Sequence, residues 1–181
     1  MASLKEIKTR IGSVQNTRKI TSAMKMVASS KLHHAQVMIE NMLPYENMLE
    51  SILKTFLAAD VDARGIITEE REVKKVALLV FSSNSSMCGG FNSNVIKRMT
   101  QLVEKYRKEG VEVEVYPIGR KIYEKTSKLG YSICGNFNAL ADKPNARDCT
   151  RIGEELAQKY VAGEIDRVEL VYHHFKSAGS Q

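Results

Sequence analysis

The sequence predicts an α/β protein, a long N-terminal helix joined to a domain with a mainly parallel sheet. Three observations carry this. Apolar or small residues recur three and four apart from Leu4 to Phe56, the period of a helix with one apolar face. Beyond residue 75, strand-like and helix-like segments alternate, the order of a layered α/β domain. Val76 to Phe81 is an unbroken apolar run bounded by lysine and serine, as a strand buried on both faces requires.

Residues 1–57 are the first segment. The stripe runs through Leu4, Ile7, Ile11, Val14, Thr21, Met24, Ala28, Leu32, Ala35, Met42, Leu49, Ile52 and Phe56. Thr17 and Arg18 interrupt it, so it is not a strict heptad seam. Ser3 stands three residues before Glu6, the capping-box spacing. Pro44 predicts a kink or short break. At 1.5 Å per residue the helix reaches about 80 Å. One small domain cannot cover that length, and no second helix of comparable length follows. The stripe therefore calls for a partner helix or a partner protein, and exposed apolar surface of this kind favours self-association.

Charge is distributed unevenly. Residues 1–42 carry seven basic and two acidic residues, a net of +5, within a chain of net +6. The remainder holds 20 basic and 19 acidic residues. Such a helix suits an acidic partner surface, with nucleic acid and an anionic membrane as competing readings. Aromatic residues are not interleaved with the charges, and no RNA- or zinc-finger motif appears, so no nucleic acid is expected.

Residues 58–75 are polar, contain Gly65 and read as a linker with Asp60, Asp62, Glu69, Glu70 and Glu72. Residues 76–175 form the globular domain. After the first strand, Ser82 to Asn94 is a small-residue loop in which Asn92 or Ser93 caps the next helix. That helix uses Val95, Met99, Leu102, Val103 and Tyr106 and stops at Gly110. Val111 to Ile118 alternates, predicting a half-exposed second strand. Gly119 to Leu129 is helical with Ile122 and Leu129 inward, and Tyr131 to Ile133 is a short strand. Residues 136–146 are loop. Asp148 to Ala162 is a helix using Ile152, Leu156 and Tyr160. Val168 to Phe175 is a last strand, with Tyr172, His173 and His174 as sheet residues, and 176–181 is a tail. The whole is Rossmann-like.

Composition sets further bounds. Few glycines and prolines and 27% charged residues exclude a disordered chain. Of eight methionines, five lie in the first helix, where they suit uneven or shifting contacts. Cys88, Cys134 and Cys149 are an odd, dispersed set with no signal peptide ahead of them, which predicts a reducing compartment. No apolar run reaches 18 residues, so no transmembrane helix is expected.

No catalytic constellation emerges. The loop after the first strand holds Gly89 and Gly90 but matches neither GxGxxG nor GxxxxGK[ST]. Cys88 is the one candidate nucleophile, without an assignable base. His33–His34 and His173–His174 are adjacent in sequence, so neither pair shares a face as metal ligands must. No cofactor, no metal and no enzymatic activity are expected; a small α/β enzyme using Cys88 is the remote alternative, a coiled-coil scaffold the nearer one.

Ile7 to Gln36 closely resembles the N-terminal helix of the gamma subunit of F-type ATP synthases. The matching residues are Ser13, Asn16, Lys19, Ile20, Thr21, Ala23, Met24, Lys25, Met26, Val27, Ala28 and Lys31. Met87, Cys88, Gly89, Gly90, Phe91 and Asn92 resemble that family's leucine-cysteine-glycine motif. Met87 stands where leucine is usual, and Ser83, Asn84 and Ser85 replace a common Ser-Asp-(Arg/Lys)-Gly turn. The resemblance implies a non-catalytic rotor shaft, whose N-terminal helix pairs with a longer C-terminal helix inside a ring of alpha and beta subunits. It implies further contacts with the epsilon subunit and the c-ring of the membrane sector, and a peripheral place on the cytoplasmic face of the bacterial plasma membrane. The C-terminal helix signature is absent, so a truncated chain is expected. By the same resemblance Thr21, Met24, Lys25, Met26 and Lys31 lie near the acidic lever of the catalytic subunits, and Cys88, Gly89, Gly90 and Asn92 form a second contact site. The acidic 60–72 segment is a further candidate for subunit contact.

Overall fold

A computed structural model describes residues 3–58 and 71–175. They fall into two compact units, one within residues 1–62 and one within 63–181. Asp60, Asp62, Gly65, Glu69 and Glu70 of the expected linker, and the tail 176–181, lie outside the described residues.

The first unit is one helix, α1, Leu4–Ala58, of 55 residues. Its start is a capping box. The Glu6 carboxylate accepts from Ser3 N–H at 3.1 Å, and Ser3 Oγ accepts from Lys5 N–H at 3.3 Å. Thr9, Thr17, Thr21 and Thr55 each donate their hydroxyl to the carbonyl four residues back, so these helix-neutral residues do not compete with the backbone ladder. Of the kink or short break expected at Pro44, the break does not occur, and the helix runs through it. Proline removes one intrahelical hydrogen bond, and strong helix formers on both sides hold the remainder. No residue of α1 is buried.

The second unit contains β1 (Lys75–Phe81), α2 (Phe91–Lys108), β2 (Glu112–Ile118), α3 (Arg120–Lys128), β3 (Ser132–Ile133), α4 (Ala146–Val161) and β4 (Arg167–Val171). A single 3-10 turn, Asn138–Ala141, interrupts the segment expected to be loop. All strand pairings are parallel, in the order β3-β2-β1-β4. Alternate residues of β1 serve opposite faces. Leu78 and Val80 pack with Val95, Met99 and Val103 of α2 and Ile122 of α3. Ala77 and Leu79 pack with Leu140 of the 3-10 turn and Ile152 and Leu156 of α4. The result is a three-layer α/β/α sandwich. Helices change face between β1 and β4, the switch point of such sheets.

Several sequence expectations are corrected. The helix after β1 begins one residue before Asn92, with Gly90 at its N-cap and no side-chain cap bond, so neither Asn92 nor Ser93 is a cap. β2 is an interior strand whose last four residues are buried. The expected half-exposure holds only for its first three residues: Glu112 is exposed and Glu114 half-buried, and both pair with Lys75 of the neighbouring strand. Pro117 is tolerated there because odd-numbered residues bond toward β3, and β3 pairs only as far as Val115. Leu129 is 37% exposed; Thr126, one turn after Ile122, takes the inward position. β4 ends at Val171, not Phe175, because its pairing with β1 stops at Val80–Val171. Beyond it, His173 stacks on Phe91 with ring centroids 4.3 Å apart, and its Nε2 lies 2.8 Å from the Phe91 carbonyl oxygen.

Arg71 fixes the entry to β1. Its Nη2 donates to the Tyr160 carbonyl at 2.7 Å and to that of Ile165. The guanidinium lies 4.0 Å over the Tyr160 ring, and Nε is 3.0 Å from Asp166 Oδ1 as an ion-pair contact. Asp166 Oδ2 accepts the backbone N–H of Lys74 and Lys75, each at 2.9 Å.

Candidate functional site

The candidate residues occupy two surfaces, one in each unit. On α1, Thr21, Met24, Lys25, Met26 and Lys31 are all exposed. Helical periodicity separates them. Thr21, Met24, Lys25 and Lys31 share one third of the circumference, whereas Met26 points to the opposite side. Met24 is 49% exposed and Met26 73%, so methionine contacts are offered on two sides. The apolar surface is likewise broader than one stripe. Ile20 and Val27, each exposed, stand about a quarter turn from it. The Thr21 hydroxyl is already used, donating to Thr17 O at 2.9 Å and Arg18 O at 3.1 Å. Its methyl and the neighbouring Met24 and Lys25 are what that side presents.

In the second unit, the loop from Ser82 to Gly90 sits at the carboxyl end of β1 and is tied from within. Asn92 is its organiser. Asn92 Nδ2 donates to Ser83 Oγ at 2.9 Å, Ser85 O at 3.1 Å and Cys88 Sγ at 3.0 Å, while Oδ1 accepts from Ser83 N–H at 3.0 Å. Asn84 ties the loop outward. Its amide donates to Asn138 O at 2.8 Å and Asp142 Oδ2 at 2.7 Å, and its Oδ1 accepts from Arg120 N–H at 2.7 Å. Ser82 Oγ accepts from Ile122 N–H at 2.9 Å. Gly119 lies so close that a Cβ there would sit 2.2 Å from the Ser82 carbonyl oxygen, at φ +113°. These bonds leave Met87 at the apex, 87% exposed and at φ +63°, a conformation non-glycine residues adopt at a cost. Gly89 beside it is at φ +58°.

The loop thus presents Met87, with Cys88, Gly89 and Gly90 around it, while Asn92 is spent on holding it. Sequence reasoning expected Cys88, Gly89, Gly90 and Asn92 as one contact site; they lie on this loop and the first turn of α2. It missed Asn84 and Gly119, whose roles depend on segments distant in sequence; only the glycine following a strand hinted at one of them.

Two further features lie near. An apolar cavity of about 430 Å³ opens between the carboxyl ends of β1 and β2 and α4, lined by Leu79, Phe81, Phe91, Ile118, Cys149 and Ile152 among others. On the same face of the sheet, Lys159 Nζ donates to Tyr116 Oη at 2.8 Å, and that bond holds the lysine well above its ordinary range. Burial pushes the Tyr116 hydroxyl and the Cys134 thiol up. Burial alone would raise Glu114 as well, but its hydrogen bonds to Lys75 and Cys134 outweigh this and hold it below the usual carboxylate range. These groups satisfy one another across the strands, and the charges are held in their ordinary ionised forms. Among the described residues no three His, Cys, Asp or Glu side chains gather as a metal site, and no helix is long and apolar enough to cross a membrane.

Comparison with known proteins completes the picture. A family model described as ATP synthase matches residues 3–181. The chain is 52% identical over 182 aligned residues to the ATP synthase gamma chain of Phocaeicola vulgatus, covering 100% of this chain and 63% of that protein. It is 53% identical to the gamma chain of Bacteroides thetaiotaomicron, covering 61% of it, and 42% identical to that of Flavobacterium johnsoniae, covering 63%. The chain therefore spans about three-fifths of the length of the relatives it matches.

Proposed function

This chain belongs to the ATP synthase gamma-chain family, and on that premise we propose that it works as part of a non-catalytic central rotor stalk. The stalk couples ion flow through a membrane sector to ATP synthesis or hydrolysis in a surrounding alpha/beta ring. The observation that carries this reading is α1: 55 residues of helix with none buried and with large apolar side chains on more than one side. A helix so uncovered needs partners on several sides, which a shaft has and an ordinary surface helix does not. Nucleotide chemistry belongs to the ring in this reading.

Roles follow from placement. Lys25 and Lys31, on the same side as Thr21 and Met24, attract the acidic lever of the catalytic subunits. Exposed ion pairs of this kind are worth about 0–1 kcal/mol each, suited to contacts that must be exchanged at every step. Met24 and Met26, on opposite sides, supply adaptable contacts to ring and to a second shaft helix. The Met87 loop with Cys88, Gly89 and Gly90 is a second subunit contact, kept in shape by Asn92. The epsilon subunit and the c-ring are the partners proposed for the second unit, and the complex is placed peripherally on the cytoplasmic face of a bacterial plasma membrane.

The test is charge reversal at Lys25 and Lys31 in the full-length subunit, assembled with alpha and beta subunits and a membrane sector. We expect ATP-driven ion pumping to fall several-fold relative to ATPase activity. Unchanged assembly, ATPase activity and pumping would remove the proposed role of these lysines.

A further inference from the structure

The near-neutral charge of the chain beyond residue 42 conceals a polarised domain. α2 carries five basic residues and one acidic, α3 four and one, a net of +7 on two helices that pack against the same face of the sheet. The opposite face is covered by α4, with three basic and three acidic residues. Lys121, Lys125 and Lys128 follow at i, i+4 and i+7, so they line one side of α3. On α2, Lys97 and Lys108 lie away from the buried Val95, Met99 and Val103.

Part of this charge has a local use. Basic residues in the last turns of α2 and α3 complement the helix dipoles. Arg120 and Lys121 do not; they occupy the first turn of α3, where the dipole favours acidic residues. Nor is the face neutralised from within. Its ion pairs are long, Arg120–Glu124 at 3.8 Å, Lys121–Glu124 at 3.7 Å and Lys105–Glu109 at 3.9 Å, and all their groups but the half-buried Lys121 are exposed. Arg120 and Lys121 share the one carboxylate of Glu124, and the two helices keep a net of +7, so the face holds more positive charge than its own acids balance and suits an external anion.

The character of the face selects the partner. Protein interfaces are built around a desolvated apolar or aromatic centre. No large apolar side chain of α2 or α3 is among the exposed ones, and lysines outnumber arginines six to three. A lysine-rich face with no apolar centre fits a diffuse polyanionic surface whose charges rearrange to meet it. We propose that the α2–α3 face is an electrostatic contact for anionic phospholipid headgroups. The choice of lipid over other polyanions rests on the rotor reading, which places the chain beside a membrane. Contact without inserted apolar groups is weak, reversible and salt-sensitive, which lets a turning part pass over the surface.

The test compares two variants of equal charge change. In one, Lys97, Lys108, Lys121, Lys125 and Lys128 become Gln; in the other, Lys5, Lys8, Lys19, Lys25 and Lys31 of α1 do. Each chain, its fold checked by circular dichroism, is sedimented at low salt with phosphatidylcholine vesicles containing about one-third phosphatidylglycerol. The α2–α3 variant should lose at least about tenfold in binding and the α1 variant less than about threefold, with no binding to pure phosphatidylcholine. Equal losses, loss confined to the α1 variant, or no binding to the anionic vesicles overturns the proposal. So does a larger loss of affinity by the α2–α3 variant for poly-glutamate or duplex DNA than for vesicles, which assigns the face to those partners. Vesicle binding is read without the ring, so failure of the rotor reading shows separately, in the Lys25 and Lys31 experiment.

Discussion

Asp166 shows how much a single carboxylate organises. It receives the backbone N–H groups of Lys74 and Lys75, at the entry to β1, and the Arg71 guanidinium, and so joins the start of β1, the end of α4 and the start of β4. The Lys74 N–H is the largest influence in holding its pKa below the ordinary aspartate range; burial opposes it, and the Lys75 N–H and Arg71 add to it. The sign of the linkage is fixed by that direction. Below the ordinary value of about 3.9 the unfolded chain takes up a proton that folded Asp166 still refuses. Its stabilisation is therefore complete above that pH and disappears as the pH falls through the lowered folded value. In urea unfolding, the parent's midpoint should fall more steeply below about pH 4 than that of Asp166→Asn. Parallel acid limbs in parent and variant would contradict this. Neither partner was legible in the sequence. Arg71 reads as one more charge of a polar linker, and only the fold brings it 3.0 Å from a residue 95 positions on. Asn92 was legible as important but not in its role. It reads as a cap, and its three-way bonding exists only once the loop has closed.

At the scale of elements, the strongest periodic signals were legible and the weakest were not. The apolar run of β1 and the stripe of α1 appear within about a residue of where they were expected. Propensity and pattern agree there. β2 was legible only in part: its glutamates mark a half-exposed first half, while the burial of Val115 to Ile118 depends on the layers packed over them. β4 misled because strand pattern continues to Phe175 while pairing does not. Pro44 does not break the helix, though it forfeits one hydrogen bond and crowds the carbonyl one turn back. Pro44→Ala restores that bond to the Glu40 carbonyl and removes a penalty of about 3 kcal/mol in helix propensity. Amide exchange should slow from Tyr45 to Met48 in the variant; exchange unchanged there would show that the surroundings, not the helix, set the local stability.

The whole molecule consists of two compact units of different character. One is a helix with nothing buried; the other is a three-layer domain with a core on each sheet face. The need for a partner was legible from length and stripe alone. The breadth of that need was not, because Ile20, Met26 and Val27 sit within an overall amphipathic pattern and show their separate sides only on the helix. Charge is similar. The basic bias of α1 is a run in sequence, whereas the basic face of the domain is assembled from helices separated by a strand. Cys149, exposed on α4, offers a handle for the decisive observation. The full-length subunit, with Cys88 and Cys134 replaced by Ser, is assembled with alpha and beta subunits and carries a probe at Cys149. Adding ATP should drive the probe in sustained rotation of one direction. An assembled, ATP-hydrolysing ring in which the probe stays still or only fluctuates would contradict the account of this chain as part of a rotor.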